Sequence, residues 1–169
     1  SHQKRFIFID RDGVLNEKPD RGRYVTNIDL FKWKQGALEG LKILKDNNFQ
    51  VVLVTNQAGI GRGLFSEEQL NKIHQKMCQN AKENGGEIEY IYFCPHHWED
   101  NCDCRKPKPG MFFKAQKDLY IDLPNTYFIG DDIRDGEAAL AAGCKFKLIR
   151  ENDRLDDLVN KMFIFKKLR

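Results

Sequence analysis

Five short runs rich in aliphatic, β-branched and aromatic residues recur along the chain, at Arg5–Asp10, Gln50–Thr55, Glu89–Cys94, Thr126–Gly130 and Lys145–Ile149. Each reads as a strand. Between them lie stretches of helical periodicity, at Ala37–Asp46, Glu67–Glu83, Met111–Leu119 and Gly136–Ala142. This alternation predicts an α/β fold in three layers, a Rossmann-like sandwich with a central parallel sheet covered on both faces. The helix at Glu67 is introduced by "SEEQ", where Ser66 and Gln69 form a capping box. Leu155–Leu168 is expected to be a final helix, although "MFIF" within it suits either state. At 169 residues without repeat, linker or low-complexity tract, the chain is expected to form one domain, 1–169. Ser1-His2 reads as an added remnant and is left out of the fold reasoning.

Composition narrows the function. Hydrophobic residues make up 41% and charged residues 31%, an ordinary soluble balance rather than a disordered one. No apolar run approaches a membrane span and no signal peptide precedes the first strand, so a cytoplasmic protein with no membrane partner is expected. The 28 basic and 25 acidic residues are interleaved, which leaves no basic stripe for a nucleic acid. The exception is "RKPKP", Arg105 to Pro109, a knot that suits one phosphate better than a polyanion.

In open α/β sheets, ligands bind outside the carboxyl ends of the strands. Those ends read Asp10-Arg11-Asp12-Gly13, Thr55-Asn56-Gln57, Cys94-Pro95-His96 and Gly130-Asp131-Asp132. Three aspartates from two strand ends make a hard, oxygen-rich site suited to Mg²⁺, and Asp10, Asp12 and Asp131 are the expected ligands. Residues i and i+2 of an extended chain point the same way, so Asp10 and Asp12 can both face the site if Gly13 lets the chain bend. Magnesium beside a free carboxylate, a lysine and a threonine is equipment for phosphoryl transfer. Asp10 is the expected nucleophile and Asp12 the acid and base, with Thr55 and Lys106 on the equatorial oxygens. Taken singly, "DxDG" also suits a calcium-like loop or a solvated strand end, and "TNQ" a turn. The order of all four motifs along successive βα units favours the catalytic reading.

Five cysteines form an odd count, and three fall within the eleven residues 94–104, poor material for disulfides. "CPHHWEDNCDC" offers Cys94, His96, Cys102 and Cys104, enough to close a tetrahedral Zn²⁺ shell with no open position, hence a structural metal. Its last ligand adjoins Arg105 and Lys106, so the zinc is expected to fix the phosphate-binding segment. Cys78 and Cys144 read as small buried residues.

Together "FIDRDGVLN", "VTNQAGIGRG", "CDCRKPKPGM" and "GDDIRD" resemble the haloacid dehalogenase superfamily of phosphatases, over nearly the whole stretch from Arg5 to Arg150. More narrowly they look like its zinc-containing branch, which acts on histidinol phosphate or heptose 1,7-bisphosphate. The resemblance implies a fold with no large cap domain and the same nucleophile, acid/base and phosphate-holding residues, with magnesium bound by the backbone carbonyl of Asp12, not necessarily by its carboxylate. It implies that Asp131 completes that site, that Asp135 orients it, and that Arg105 reads the substrate. The substrate-facing set expected on this basis is Arg11, Asp12, Arg23, Tyr24, Thr55, Asn56, Gln57, Arg105 and Lys106. "CPHH", "RKPKPGM" and the loop "PDRGRYVTNID" favour a phosphorylated heptose, hydrolysed at its 7-phosphate by a monomer in nucleotide-heptose synthesis for surface glycans. Arg23 within that loop and the acid at Asp132 depart from the branch pattern. Histidinol phosphate is the closest alternative, a polynucleotide 3′-phosphate and a receiver-like phospho-acceptor the remoter ones.

Overall fold

The computed structural model, which describes residues 5–164, pairs the five runs into one sheet, in which the three central strands are buried on both faces and the two edge strands are half-buried or exposed. Its strands are β1 (Arg5–Ile9), β2 (Phe49–Asn56), β3 (Tyr90–Cys94), β4 (Tyr127–Gly130) and β5 (Lys145–Leu148). All pair in parallel, in the order β3-β2-β1-β4-β5. Successive side chains on a strand point to opposite faces, so Ile7, Ile9, Val51 and Leu53 enter one core and Phe8, Val52, Val54 and Phe128 the other. The first core is covered by α1 (Ala37–Asp46), α3 (Glu67–Glu83) and α6 (Leu155–Val159), through Leu41, Leu44, Met77, Ala81, Leu155 and Val159. The second is covered by α4 (Gly110–Leu119) and α5 (Ile133–Ala142), where Phe112 makes edge-on contacts with Phe8 and Phe128 at 4.8 and 4.9 Å. The result is the three-layer α/β sandwich the alternation predicts.

Boundaries follow local chemistry. Ser66 and Gln69 close the expected capping box, Gln69 N–H donating to Ser66 Oγ at 3.1 Å and Ser66 N–H to Gln69 Oε1 at 2.8 Å. Helix α5 begins at Ile133, three residues before the expected Gly136, because Asp132 caps it and Asp135 returns the cap. A short helix α2 (Ala58–Gly61) and 3-10 turns at Ile28–Leu30, Trp98–Asp100 and Leu123–Asn125 interrupt stretches that read as loops. Helix α6 passes into a π-type turn at Asn160–Ile164. The rest of the expected final helix, to Leu168, lies outside the described residues, as does Ser1-His2.

Strand order reverses beside β1, since the chain proceeds to β2 and β3 on one side and places β4 on the other. The crevice at such a reversal is where ligands enter α/β sheets. Above it rise only short segments: residues 10–36 hold one 3-10 turn and two isolated bridges, and no cap domain is inserted. Among the described residues no helix is long and apolar enough to cross a membrane.

Candidate active site

The chain leaves β1 through a tight turn in which the Arg11 carbonyl accepts from the backbone N–H groups of Val14, Leu15 and Asn16. Gly13 takes φ +88°, and a Cβ there would overlap the Asp131 carboxylate. Glycine is therefore required on both counts, conformation and space. The turn delivers Asp10 and Asp12 to a cleft of about 180 Å³ lined also by Lys18, Tyr24, Thr55, Asn56, Ala58, Arg105, Lys106, Asp131, Asp132, Arg134 and Asp135.

Lys106 is the buried cation of this cleft. Its Nζ lies 3.0 Å from Asp10 Oδ1 and 2.9 Å from Asp135 Oδ1, and donates to the Val54 carbonyl at 3.2 Å. Burial disfavours its charge, but Asp10 and Asp135 raise its pKa above the ordinary lysine value. Its backbone is held in place as well: Lys106 N–H donates to Asn56 Oδ1 at 3.0 Å and Asn56 Nδ2 donates to the Lys106 carbonyl at 3.1 Å. The end of β2 thus grips the phosphate-binding segment.

Asp10 Oδ1 accepts from the Arg11 N–H at 2.8 Å as well as from Lys106, which leaves Oδ2 as its unengaged oxygen. Burial, opposed by Lys106 and reinforced by Asp135, Asp131 and Asp12, holds the Asp10 carboxyl well above the usual carboxylate range. Burial raises Asp131 too, although Lys18 opposes it from 2.9 Å. Oxygens of Asp10, Asp131 and Asp135 lie within 4.8 Å of one another. Crowded acids whose charged forms are disfavoured, offering hard oxygen donors only, fit a divalent cation such as magnesium. Asp135 differs from the other two, because both its oxygens have protein partners: Oδ1 meets Lys106, and Oδ2 accepts from the N–H groups of Asp131 and Asp132 at 3.1 and 3.3 Å.

The Asp12 carboxylate lines the same cleft but is not among these clustered oxygens, which corrects the expectation from spacing that it joins Asp10 and Asp131 as a ligand. Its Oδ1 accepts from Arg11 Nε at 3.1 Å, Arg11 Nη2 at 2.9 Å and Asn16 Nδ2 at 2.9 Å. Burial works to raise its pKa, yet the Arg11 charge and hydrogen bonds from Asn16, Arg11 and Gln57 bring it below the ordinary value.

Other expected residues divide. Tyr24, Thr55, Asn56, Arg105 and Lys106 line the cleft. Arg11 does not, because its side chain is wholly buried behind Asp12. The Gln57 side chain is buried as well, and donates to Thr55 Oγ1 at 3.0 Å and to Asp12 Oδ2 at 3.4 Å. Arg23 is exposed and outside the cleft lining. Substrate-facing expectations for the Arg11, Gln57 and Arg23 side chains are corrected accordingly. Lys18 and Arg134 line the cleft without having been singled out. Arg134 lies in the first turn of α5, ahead of the helical periodicity that begins at Gly136, and Lys18 lies in an irregular loop.

The four zinc-type ligands converge. Cys94 Sγ lies 2.8 Å from Cys104 Sγ and 3.6 Å from Cys102 Sγ, and His96 Nδ1 lies 3.5 and 3.2 Å from Cys94 and Cys104. Ligand bonds of 2.0–2.3 Å in a tetrahedron imply edges of roughly 3.3–3.8 Å, so the cluster is close to the size a zinc ion sets. It is joined to both catalytic segments: Gln57 N–H donates to the Cys94 carbonyl at 2.7 Å, and Gly110 N–H to the Asp103 carbonyl at 2.9 Å.

Residues 5–148 match the family model described as polynucleotide kinase 3 phosphatase. The chain is 43% identical over 150 residues to the D-glycero-beta-D-manno-heptose-1,7-bisphosphate 7-phosphatase of Yersinia pestis, covering 85% of this chain and 78% of the relative. It is 39% identical over 150 residues to the protein of the same name from Escherichia coli K12, covering 85% and 77%. Among solved structures it resembles the D,D-heptose 1,7-bisphosphate phosphatase from B. bronchiseptica complexed with magnesium and phosphate. There the TM-score is 0.86 at 34% identity, covering 94% of this chain and 97% of that one.

Proposed function

Because the chain belongs to the haloacid dehalogenase-type phosphatases within that family model, we propose that it hydrolyses a D-glycero-D-manno-heptose 1,7-bisphosphate at the 7-phosphate. The observation that carries the reading is the convergence of Asp10, Asp12, Thr55, Lys106 and Asp131 on one cleft, in a chain so similar to heptose bisphosphate phosphatases.

Asp10 Oδ2 attacks phosphorus as the bond to the sugar oxygen breaks, and Asp12 Oδ2 gives that oxygen a proton. Water then attacks the aspartyl-phosphate, losing its proton to Asp12, and the bond between phosphorus and Asp10 breaks to release phosphate. The entering phosphate dianion supports the acid role, since negative charge beside Asp12 raises a pKa that lies low in the free protein. Lys106 and Thr55 hold the phosphoryl oxygens. Asp10 and Asp131, with the Asp12 carbonyl, would hold magnesium, which supplies charge neutralisation at the phosphoryl group, while Asp135 orients the Asp131 segment and Lys106. Cys94, His96, Cys102 and Cys104 would hold a structural zinc. Arg105 and Arg134, both on the cleft, suit a second anionic group on the substrate. On this reading residues 1–169 act as one phosphatase domain, as a monomer in the cytoplasm.

The test is a panel of heptose 1,7-bisphosphate anomers, histidinol phosphate and a 3′-phosphorylated oligonucleotide, with Asp10→Asn beside the unaltered chain. A heptose kcat/KM well above the others is expected, with loss of turnover in the variant. The oligonucleotide arm answers the family model's name; the interleaved charges of this chain, net +3, argue against it. A preference for histidinol phosphate or the oligonucleotide would overturn the substrate, and substantial activity of Asp10→Asn the covalent mechanism.

A further inference from the structure

The largest fully buried side chain includes a permanent charge. Arg11 has no exposed surface, and its guanidinium, a donor only, does not lose its proton in proteins. Nε and Nη2 meet one acceptor, Asp12 Oδ1. On the far side, Nη1 lies 3.1 Å from Nε2 of His74, a residue 5% exposed on α3. Arginine cannot accept, so His74 Nε2 does, and the imidazole is neutral with its proton on Nδ1. Burial and the Arg11 charge are consistent with this, since they push the His74 pKa down to about 3.

The consequence is an Asp12 carboxylate with unequal oxygens. Oδ1 takes three donors, two from Arg11 and one from Asn16, while Oδ2 meets only Gln57 Nε2 at 3.4 Å. An oxygen with three donors has no lone pair for a proton, so the proton Asp12 carries sits on Oδ2. That arrangement requires the guanidinium to stay flat against Oδ1. Without an acceptor behind it, Nη1 would be a buried unpaired donor, and rotation of the group to find one would release Oδ1.

We propose that His74 is a positioning residue of the phosphatase reaction: as the acceptor behind Arg11 it holds the guanidinium on Asp12 Oδ1, leaving Oδ2 to protonate the departing sugar oxygen. The inference rests on the reading of Asp12 as acid and base. When the bond between phosphorus and the sugar oxygen breaks, the proton passes from Asp12 Oδ2 to that oxygen, and the carboxylate left behind is stabilised by the three donors on Oδ1.

A leaving group that needs no proton separates positioning from general damage. The full chain and its His74→Leu, His74→Gln and Asp12→Asn variants are compared on heptose 1,7-bisphosphate, whose leaving group is an alkoxide, and on p-nitrophenyl phosphate, whose phenolate leaves unaided. For His74→Leu, kcat/KM should fall by about 30-fold or more on the sugar and by less than about 3-fold on the aryl ester, as loss of acid assistance requires. His74→Gln, whose side-chain carbonyl can accept from Arg11, should restore most of the sugar activity. Equal losses on both substrates, no loss, or a glutamine variant no better than leucine would overturn the inference. If His74→Leu does not fold, His74→Met keeps the volume while offering only a weak sulfur acceptor, and the same two ratios decide. Asp12→Asn separates the two claims. Equal losses in that variant would refute the acid role of Asp12 itself, whereas a selective loss there with none in His74→Leu would refute His74 alone.

Discussion

Protonating His74 should cost the fold more than protonating any exposed histidine, and the cost can be worked from its surroundings. The ring is buried among Leu70, Ile73 and Met77 on the inward stripe of α3, with the Arg11 guanidinium 3.1 Å from Nε2. Its pKa falls from the ordinary 6.5 to about 3, through burial first and the Arg11 charge second. Between these values the unfolded chain binds one proton that the folded chain does not, so stability rises with pH there and is lost as pH falls through 6.5. One proton corresponds to about 1.4 kcal/mol per pH unit, so moving from pH 7 to pH 5 should remove about 2 kcal/mol through this residue. Urea denaturation of the full chain and of His74→Gln, at half-unit steps between pH 7.5 and 5, isolates the effect. The aspartates around Arg11 titrate in both proteins and cancel in the difference. The difference in unfolding free energy should therefore change by about 2 kcal/mol over that range. A difference that does not move with pH would mean that His74 is protonated in the folded protein, and the hydrogen bond from Arg11 would go with it.

Two further outcomes follow from the cleft and the cysteine cluster. Gly13→Ala should destabilise by about 1–2 kcal/mol from its left-handed backbone alone, and should also raise the magnesium concentration needed for half-maximal activity, because the new Cβ displaces Asp131; unchanged magnesium dependence would contradict that placement. Zinc should be found at one ion per chain by elemental analysis, and its removal should lower turnover by loosening Arg105 and Lys106 more than it lowers the melting temperature of the sheet; a metal-free preparation with full activity would refute the structural role.

How much of this the sequence discloses depends on whether the cause is local. The central strands are legible because apolar runs buried on both faces leave little choice, the edge strands because they are β-rich runs at regular spacing, and α1 and α3 have the bounds their periodicity indicates. The strand-end acids, Thr55 and Lys106 are legible because a parallel sheet brings its carboxyl ends together. The expectation that Arg11 faces the substrate rests on the family resemblance alone. The alternation that aims residues 10 and 12 at the cleft aims the side chain of residue 11 away from it, and that local signal agrees with its burial. His74 stands four residues after Leu70 on the inward stripe, which marks it as buried, but its partner is 63 residues away and only the packing of α3 against the β1 turn reveals it. Arg134 depended on where α5 starts, and that was decided by the side chain of Asp132.

The two hydrogen bonds between Asn56 and the Lys106 backbone also make this enzyme depend on a single side-chain amide. The amide serves there because it presents one donor and one acceptor to a peptide group that offers the reverse pair. Replacing that amide by a carboxylate, as in Asn56→Asp, alters only one group. The donor facing the Lys106 carbonyl becomes an oxygen, and attraction at 3.1 Å turns into repulsion between two acceptors. The same event brings a sixth carboxylate to a cleft that already gathers five, beside the lysine that must neutralise them. That one substitution at a strand end would therefore act on both the placement and the charge of Lys106, lowering activity while the sheet and cores remain intact.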